Sequence, residues 1–208
     1  MPSSLTRRHL LALAPGAVTL ALLPGAARAI TVDQARSLID KLVGEINSVI
    51  NSGRAERSMY VDFERIFARY ADVNYIAKSA LGPAGRSAGA SEISAYTKAF
   101  QAYIARKYGK RFREFIGGEI VVTNARPLKS YFEVISVAKL QGQAPFEVRW
   151  HVVDRGGKSL FFNLIIEGVN MLAAERTEIG AMLDQAGGSN TVVTLPPGPG
   201  GDHAAGDP

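Results

Sequence analysis

The chain has 208 residues, 24 lysines and arginines against 19 aspartates and glutamates, a formal net charge of +5 and no cysteine. The absent thiol excludes disulfide staples, cysteine nucleophiles, thiolate metal sites and c-type haem attachment together. Stability then rests on a packed core, and the length suits a single domain that buries most of its apolar surface.

The first 29 residues read as an export leader. Arg7 and Arg8 precede an apolar run from Leu10 to Leu23, and Ala27-Arg28-Ala29 closes it with small residues at alternate positions. That run is about 14 residues and is flanked or broken by Pro15-Gly16 and Pro24-Gly25, whereas a bilayer-spanning helix takes roughly 20 apolar residues. The arginine pair fits the twin-arginine route, and an ordinary secretory leader with a basic start is the other reading. Cleavage leaves a mature chain from Ile30. Arg7, Arg8 and Arg28 go with the leader, so 21 basic residues face the same 19 acidic ones, a net of +2. A near-neutral domain lacks the concentrated basic surface that nucleic-acid binding requires.

Residues 31–51 place Val32, Ala35, Leu38, Ile39, Leu42, Val43, Ile46, Val49 and Ile50 at spacings of three and four, an amphipathic helix. Residues 62–81 repeat the pattern with Phe63, Ile66, Phe67, Tyr70, Val73, Ile76 and Ala77, with a break expected near Asp72. After a Gly/Ala/Ser-rich loop over 82–90, Ser91 caps a long helix marked by Ile93, Tyr96, Phe100, Tyr103, Ile104, Tyr108, Phe112 and Phe115, which stops at Gly117-Gly118. The period then changes from 3.6 to 2. Strands are expected over 119–123 and 128–140, then around Phe146, Val148, Trp150 and Val152, then around Leu160, Phe162, Leu164 and Ile166, with turns at 141–143 and 155–158. Asn170 caps a last helix carrying Met171, Leu172, Ile179, Met182 and Leu183, and the Gly/Pro-rich tail from Pro196 has nothing to bury. The expected fold is α+β: three N-terminal helices and a C-terminal helix on a curved four-stranded antiparallel sheet, as one domain over 30–195 between a leader (1–29) and a disordered tail (196–208).

Candidate chemistry is sparse. His151 is the one histidine between leader and tail, and its place beside Arg149 on the polar side of a strand predicts a solvent-exposed imidazole. His151 and Asp154 are three apart in a strand and point to opposite faces, so they form no local dyad. Glu167 follows three apolar residues and precedes Gly168; it pairs with Arg176 or accepts N–H bonds at a helix start, with a general base as the other reading. No phosphate loop or Walker lysine occurs, and no histidine set suits a metal. Arg106, Lys107, Lys110, Arg111 and Arg113 crowd the end of the third long helix, with Lys107 and Arg111 turned toward its apolar side. They are either a solvated face or the contact for an anionic ligand or acidic partner.

The order of elements resembles the MlaC family, also called toluene-tolerance auxiliary proteins, periplasmic phospholipid-binding components of an ABC transport system. The residues that carry the resemblance are Asp62-Phe63-Glu64-Arg65-Ile66, the stretch from Phe100-x-x-Tyr103 to Tyr108-Gly109, and Ile166-Glu167-Gly168-Val169-Asn170 with Arg176 beyond it, within a match from about residue 32 to 195. Departures are Pro83-Ala84 where the family has an aromatic pair, Ser159 and Asn163 where it has tryptophan and aspartate, and Asn170 where it has serine.

The resemblance implies a monomeric periplasmic carrier without catalytic residues or cofactor. It would hold phospholipid acyl chains in an apolar pocket and pass lipid between an inner-membrane ABC transporter complex and an outer-membrane lipoprotein complex, which maintains outer-membrane lipid asymmetry. Pocket candidates are Phe67, Tyr70, Ile76, Phe100, Ile104, Tyr108, Phe112, Val134, Phe146, Val148, Trp150, Phe162 and Leu164, with Lys107 and Arg111 as head-group or partner contacts. The alternatives are a small-molecule enzyme on a cone-shaped α+β fold, with His151 or Glu167 as base, and a non-lipid envelope adaptor.

Overall fold

The computed structural model describes residues 30–185, apart from the side chains of Phe112 and Arg113. The expected leader (1–29) and tail (196–208) lie outside the described residues. Helix α1 (Val32–Ile50) opens on a capping box: the Thr31 hydroxyl accepts from the Gln34 N–H, and the Gln34 side chain accepts from the Thr31 N–H at 2.8 Å. Its buried stripe of Ala35, Ile39, Leu42, Val43, Ile46 and Ile50 lies on the sheet. Asn47 fixes the register there, donating to the Ile120 carbonyl at 2.9 Å and accepting the Ile120 N–H at 3.0 Å. One side-chain amide thus satisfies both backbone groups on an edge strand.

The break expected near Asp72 separates α2 (Glu56–Tyr70) from α3 (Val73–Leu81). Ala71 forms a parallel bridge with Phe161, and the Asp72 N–H donates to the Phe161 carbonyl at 2.8 Å, so the chain leaves helical geometry to pair with the sheet. A one-turn helix α4 (Ala84–Ser87) precedes α5 (Ala90–Phe112), which runs unbroken through Gly109 into a 3-10 turn, Arg113–Phe115. At Gly109 a Cβ would lie 2.6 Å from the Tyr60 ring, so the glycine lets α2 and α5 cross closely.

The sheet is an antiparallel meander ordered β1-β2-β3-β4-β5: Glu119–Pro127, Phe132–Lys139, Phe146–Arg155, Lys158–Ile166 and Val169–Asn170. It has five strands, against the four expected. Glu167 (φ 49°) and Gly168 (φ 81°) make a tight turn with both central residues left-handed, so the chain doubles back and β5 pairs with Ile165 and Ile166. Strand β1 also runs past Thr123 to Pro127, because Arg126 faces Glu133 across the ladder and binds it, and residues 128–131 form the turn. A bulge between β3 and β4 opposes His151 to Asn163 and Val152 to Phe161, which leaves Phe162 as the extra residue. Helix α6 (Met171–Gln185) starts where expected: the Asn170 side chain accepts the Ala173 N–H at 3.1 Å. Among the described residues no helix is long and apolar enough to cross a membrane.

Candidate functional site

Alternation along β3 turns Phe146, Val148 and Trp150 to one face, and the helices roof that face without closing on it. A cavity of about 220 Å³ remains. On the helical side its walls are Leu42 and Ile46 of α1, Phe63, Ile66 and Phe67 of α2, Ile76 of α3, and Ile104, Ala105 and Tyr108 of α5. Ile120, Leu140, Phe161, Leu164 and Ile166 complete the sheet side, and Met171 and Leu172 of α6 cover the β4 end. The indole of Trp150 keeps its wall dry. Its Nε1–H donates to the Ser136 hydroxyl at 2.9 Å, which donates to the Val148 carbonyl at 3.2 Å, so no unpaired donor points at the void. Phe161 stands edge-on to Trp150 at 5.6 Å and leans on Phe67 at 6.1 Å, which holds the aromatic wall upright.

Of the pocket candidates, Phe67, Ile76, Ile104, Tyr108, Phe146, Val148, Trp150, Phe162 and Leu164 line this cavity. Tyr70, Phe100 and Val134 do not. Phe100 and Val134 are fully buried in the closed core, and Tyr70 is turned to the α1 side, where its hydroxyl donates to Glu45 at 2.7 Å. The side chain of Phe112 lies outside the described residues. Phe161 was absent from the expected set because the bulge at Phe162 exchanges the faces of the preceding strand residues.

Polar groups collect at the mouth: Arg111, Glu114, Gln143 and Glu167 all line the cavity and are all exposed. Arg111 has no ion pair among the described residues, so its guanidinium is free to meet an anion. Lys107 is not placed to do the same, a correction to the head-group expectation. Its ammonium binds Glu175 Oε1 at 2.7 Å and also Glu178, and it stacks over the rings of Tyr103 and Tyr108 at 5.5 and 5.8 Å. Tyr108 donates to Glu175 Oε1 at 2.7 Å, and Tyr103 donates to Glu178. Burial, reinforced by the neighbouring carboxylates, pushes the Tyr96, Tyr103 and Tyr108 hydroxyls well above the ordinary phenol range. Burial pushes the Glu178 carboxyl up too, but hydrogen bonds from Lys107 and Tyr103 outweigh it and leave the group below its usual value.

His151 is the other correction. The structure buries it, at 7% exposure, on the face of β3 opposite Trp150. Tyr131 from the β1–β2 turn stacks on it at 4.6 Å, the bulged Phe162 lies at 5.8 Å, and Glu133 Oε2 is 3.6 Å from its Nε2. Burial holds the imidazole below its usual pKa, against the opposing pull of Glu133. It does not line the cavity. Glu167 pairs with nothing on α6: it is exposed in the turn, while the Arg176 guanidinium packs beside Gly82, 3.2 Å from where a Cβ would stand.

The family model described as MlaC protein matches residues 37–195 of the chain. The chain belongs to the MlaC family. Its fold is also similar to that of a phospholipid-binding protein from Ralstonia solanacearum whose structure holds a phospholipid: the TM-score is 0.67 at 14% identity, covering 77% of this chain and 93% of that one.

Within the MlaC framework, the residues that carried the resemblance hold the scaffold around the cavity. Asp62 is buried and ties the start of α2 together, binding Arg65 at 2.9 Å and Arg54 as well. Tyr103, Tyr108 and Gly109 set α5 against α6 and α2. Asn163 stands where MlaC proteins were expected to carry aspartate, and its Oδ1 accepts the Leu172 N–H at 3.1 Å, which ties β4 to the first turn of α6. An amide oxygen fills that structural role as a carboxylate would.

Proposed function

We propose that this protein is a periplasmic phospholipid carrier: exported by the leader over residues 1–29, folded as one domain over 30–195, and shuttling lipid between an inner-membrane ABC transporter complex and an outer-membrane lipoprotein complex as a monomer. The observation that carries the reading is the cavity, whose walls are mostly apolar side chains from helices and sheet and whose exposed charged residues are Arg111, Glu114 and Glu167, with Glu175 buried against Lys107. Family membership and the likeness to a protein that binds a phospholipid support it. The energetics make such a site useful. A two-chain lipid in water exposes about 30 methylenes at roughly 0.8 kcal/mol each, a gross cost on the order of 20 kcal/mol. A protein that encloses tails and leaves the head in water removes most of that barrier without any catalytic group, and in an outer membrane such transfer serves lipid asymmetry.

Of the two bases the catalytic alternative offers, His151 lies off the cavity, and Glu167 lines its mouth as an exposed residue of the β4–β5 turn. A bare adaptor would have a closed core. Mass spectrometry of solvent extracts from detergent-free protein tests the carrier reading: co-purifying phospholipid is expected, and no lipid together with no uptake from vesicles overturns it. Arg111→Glu is expected to slow uptake of anionic phospholipid several-fold with an unchanged melting temperature, because it reverses charge at the mouth and breaks no ion pair. Unchanged uptake would return Arg111 to a solvated surface.

A further inference from the structure

The first residue after the expected leader is tied into the fold by both its side chain and its backbone. Ile30 is 5% exposed, and its N–H donates to Asp154 Oδ2 at 3.2 Å, across 124 positions of chain. Asp154 stands near the end of β3, where its Oδ1 accepts the Gly157 N–H at 2.6 Å and shapes the hairpin turn into β4. It is half-buried and has no cationic partner among the described residues; the neighbouring Arg155 binds Asp72 instead. A half-buried carboxylate with two N–H donors and no cation gains from a positive charge placed on it.

The sequence supplies that charge. Ala27-Arg28-Ala29 puts small residues one and three positions before Ile30, the pattern after which a leader peptidase cuts. Hydrolysis of the Ala29–Ile30 bond consumes one water and leaves a carboxylate on Ala29 and an amine on Ile30. An α-amino group, with its ordinary pKa of about 8, is mostly protonated at pH 7. The nitrogen that gave Asp154 one neutral N–H thereby becomes an ammonium. A cation here also meets the positive end of the α1 dipole, which opposes it. Asp33 in the first turn and Asp154 both set negative charge against that end, and only Asp154 is bonded to the nitrogen itself.

We infer that Ile30 is the processed N-terminus and that its ammonium pairs with Asp154, so that removal of the leader completes the fold. The pair clips the start of α1 to the β3–β4 hairpin, while Asn47 and Asn51 hold the other end of the helix against residues 117–120. Helix α1 gives Leu42 and Ile46 to the cavity wall, so one wall of the lipid site is fastened most firmly in the processed chain. The inference rests on the export reading of residues 1–29. Ile30 docks after the cut, because its side chain is buried once seated.

The test uses purified protein that begins at Ile30, with its α-amine either free or acetylated; acetylation on that amine alone keeps an N–H and removes the charge. The free-amine protein is expected to melt about 2–4 °C higher at pH 7. In Asp154→Asn, whose amide oxygen still accepts from Gly157, that difference is expected to vanish or reverse, since the dipole then acts without the carboxylate. Equal melting of the two wild-type forms overturns the proposal, and so does a difference that survives Asp154→Asn. The N-terminal sequence of the protein recovered from outside the cytoplasm is expected to start at Ile30. A processed chain that starts elsewhere overturns the Ile30–Asp154 pair and leaves export standing, whereas a chain retained whole in the cytoplasm overturns the export reading as well.

Discussion

Leu164→Trp is expected to lower phospholipid occupancy by about tenfold or more while shifting the melting temperature by no more than a few degrees. Leu164 is half-buried on β4, pairs with Trp150 across the ladder and lines the cavity. An indole there grows into space that no protein atom occupies, so it displaces a ligand chain and not a packed neighbour. Overpacking costs about 1–3 kcal/mol when a core is already full; a void of about 220 Å³ relieves most of that. Val134→Trp is the contrasting substitution. Val134 pairs with Trp150 from the other side but is fully buried in the closed core, so the same ring has nowhere to go and the loss appears in stability first. Extracted lipid and thermal melts read the two variants together. Normal lipid content in a folded Leu164→Trp protein would mean that chains lie elsewhere.

The difference between these two positions is what the sequence does not disclose. Periodicity gives α1, α5, β3 and the helix break at Asp72, because each is a local pattern of apolar residues with a local stop signal. It gives the apolar identity of Phe67, Trp150, Phe100 and Val134 equally well. Whether such a residue faces a void or a neighbour depends on how far the helices stand off the sheet, and that is set by contacts far apart in the chain, such as Tyr60 on Gly109. The burial of His151 has the same origin. Alternation places it on the polar side of β3, but Glu133 comes from the next strand, Tyr131 from a turn and Phe162 from a bulge that no local pattern announces. Glu175 did leave a trace: it falls on the stripe of Leu172, Ile179 and Leu183, where a charge breaks the apolar run of α6. A carboxylate on the buried stripe of a helix needs a partner, and the basic end of α5 offered one.

That pairing underlies the largest stability effect expected in the molecule. Lys107→Met should destabilise the protein by about 3 kcal/mol or more at neutral pH, because removing one partner of a buried ion pair strands the other. Glu175, at 4% side-chain exposure, carries most of that cost; Glu178, at 39%, is reached by water and adds less. For a domain of this size the melting temperature falls by roughly 6–12 °C. The pH dependence has a definite sign. The Glu178 carboxyl is held below its ordinary 4.5, so its contribution is present above that value and is lost as pH falls through the lower folded-state value. The Glu178 share of the gap between wild type and Lys107→Met is therefore fully present above about pH 5 and closes as that carboxyl takes up its proton. Lys107→Glu gathers three carboxylates in the same place and is expected not to fold, which makes Arg111→Glu the informative charge reversal on α5. Replacing Lys107 and Glu175 together by methionine removes the pair without stranding a charge beside the cavity, and most of the lost stability should return. A double variant as unstable as Lys107→Met would mean that Glu178, and not Glu175, is the group that Lys107 sustains.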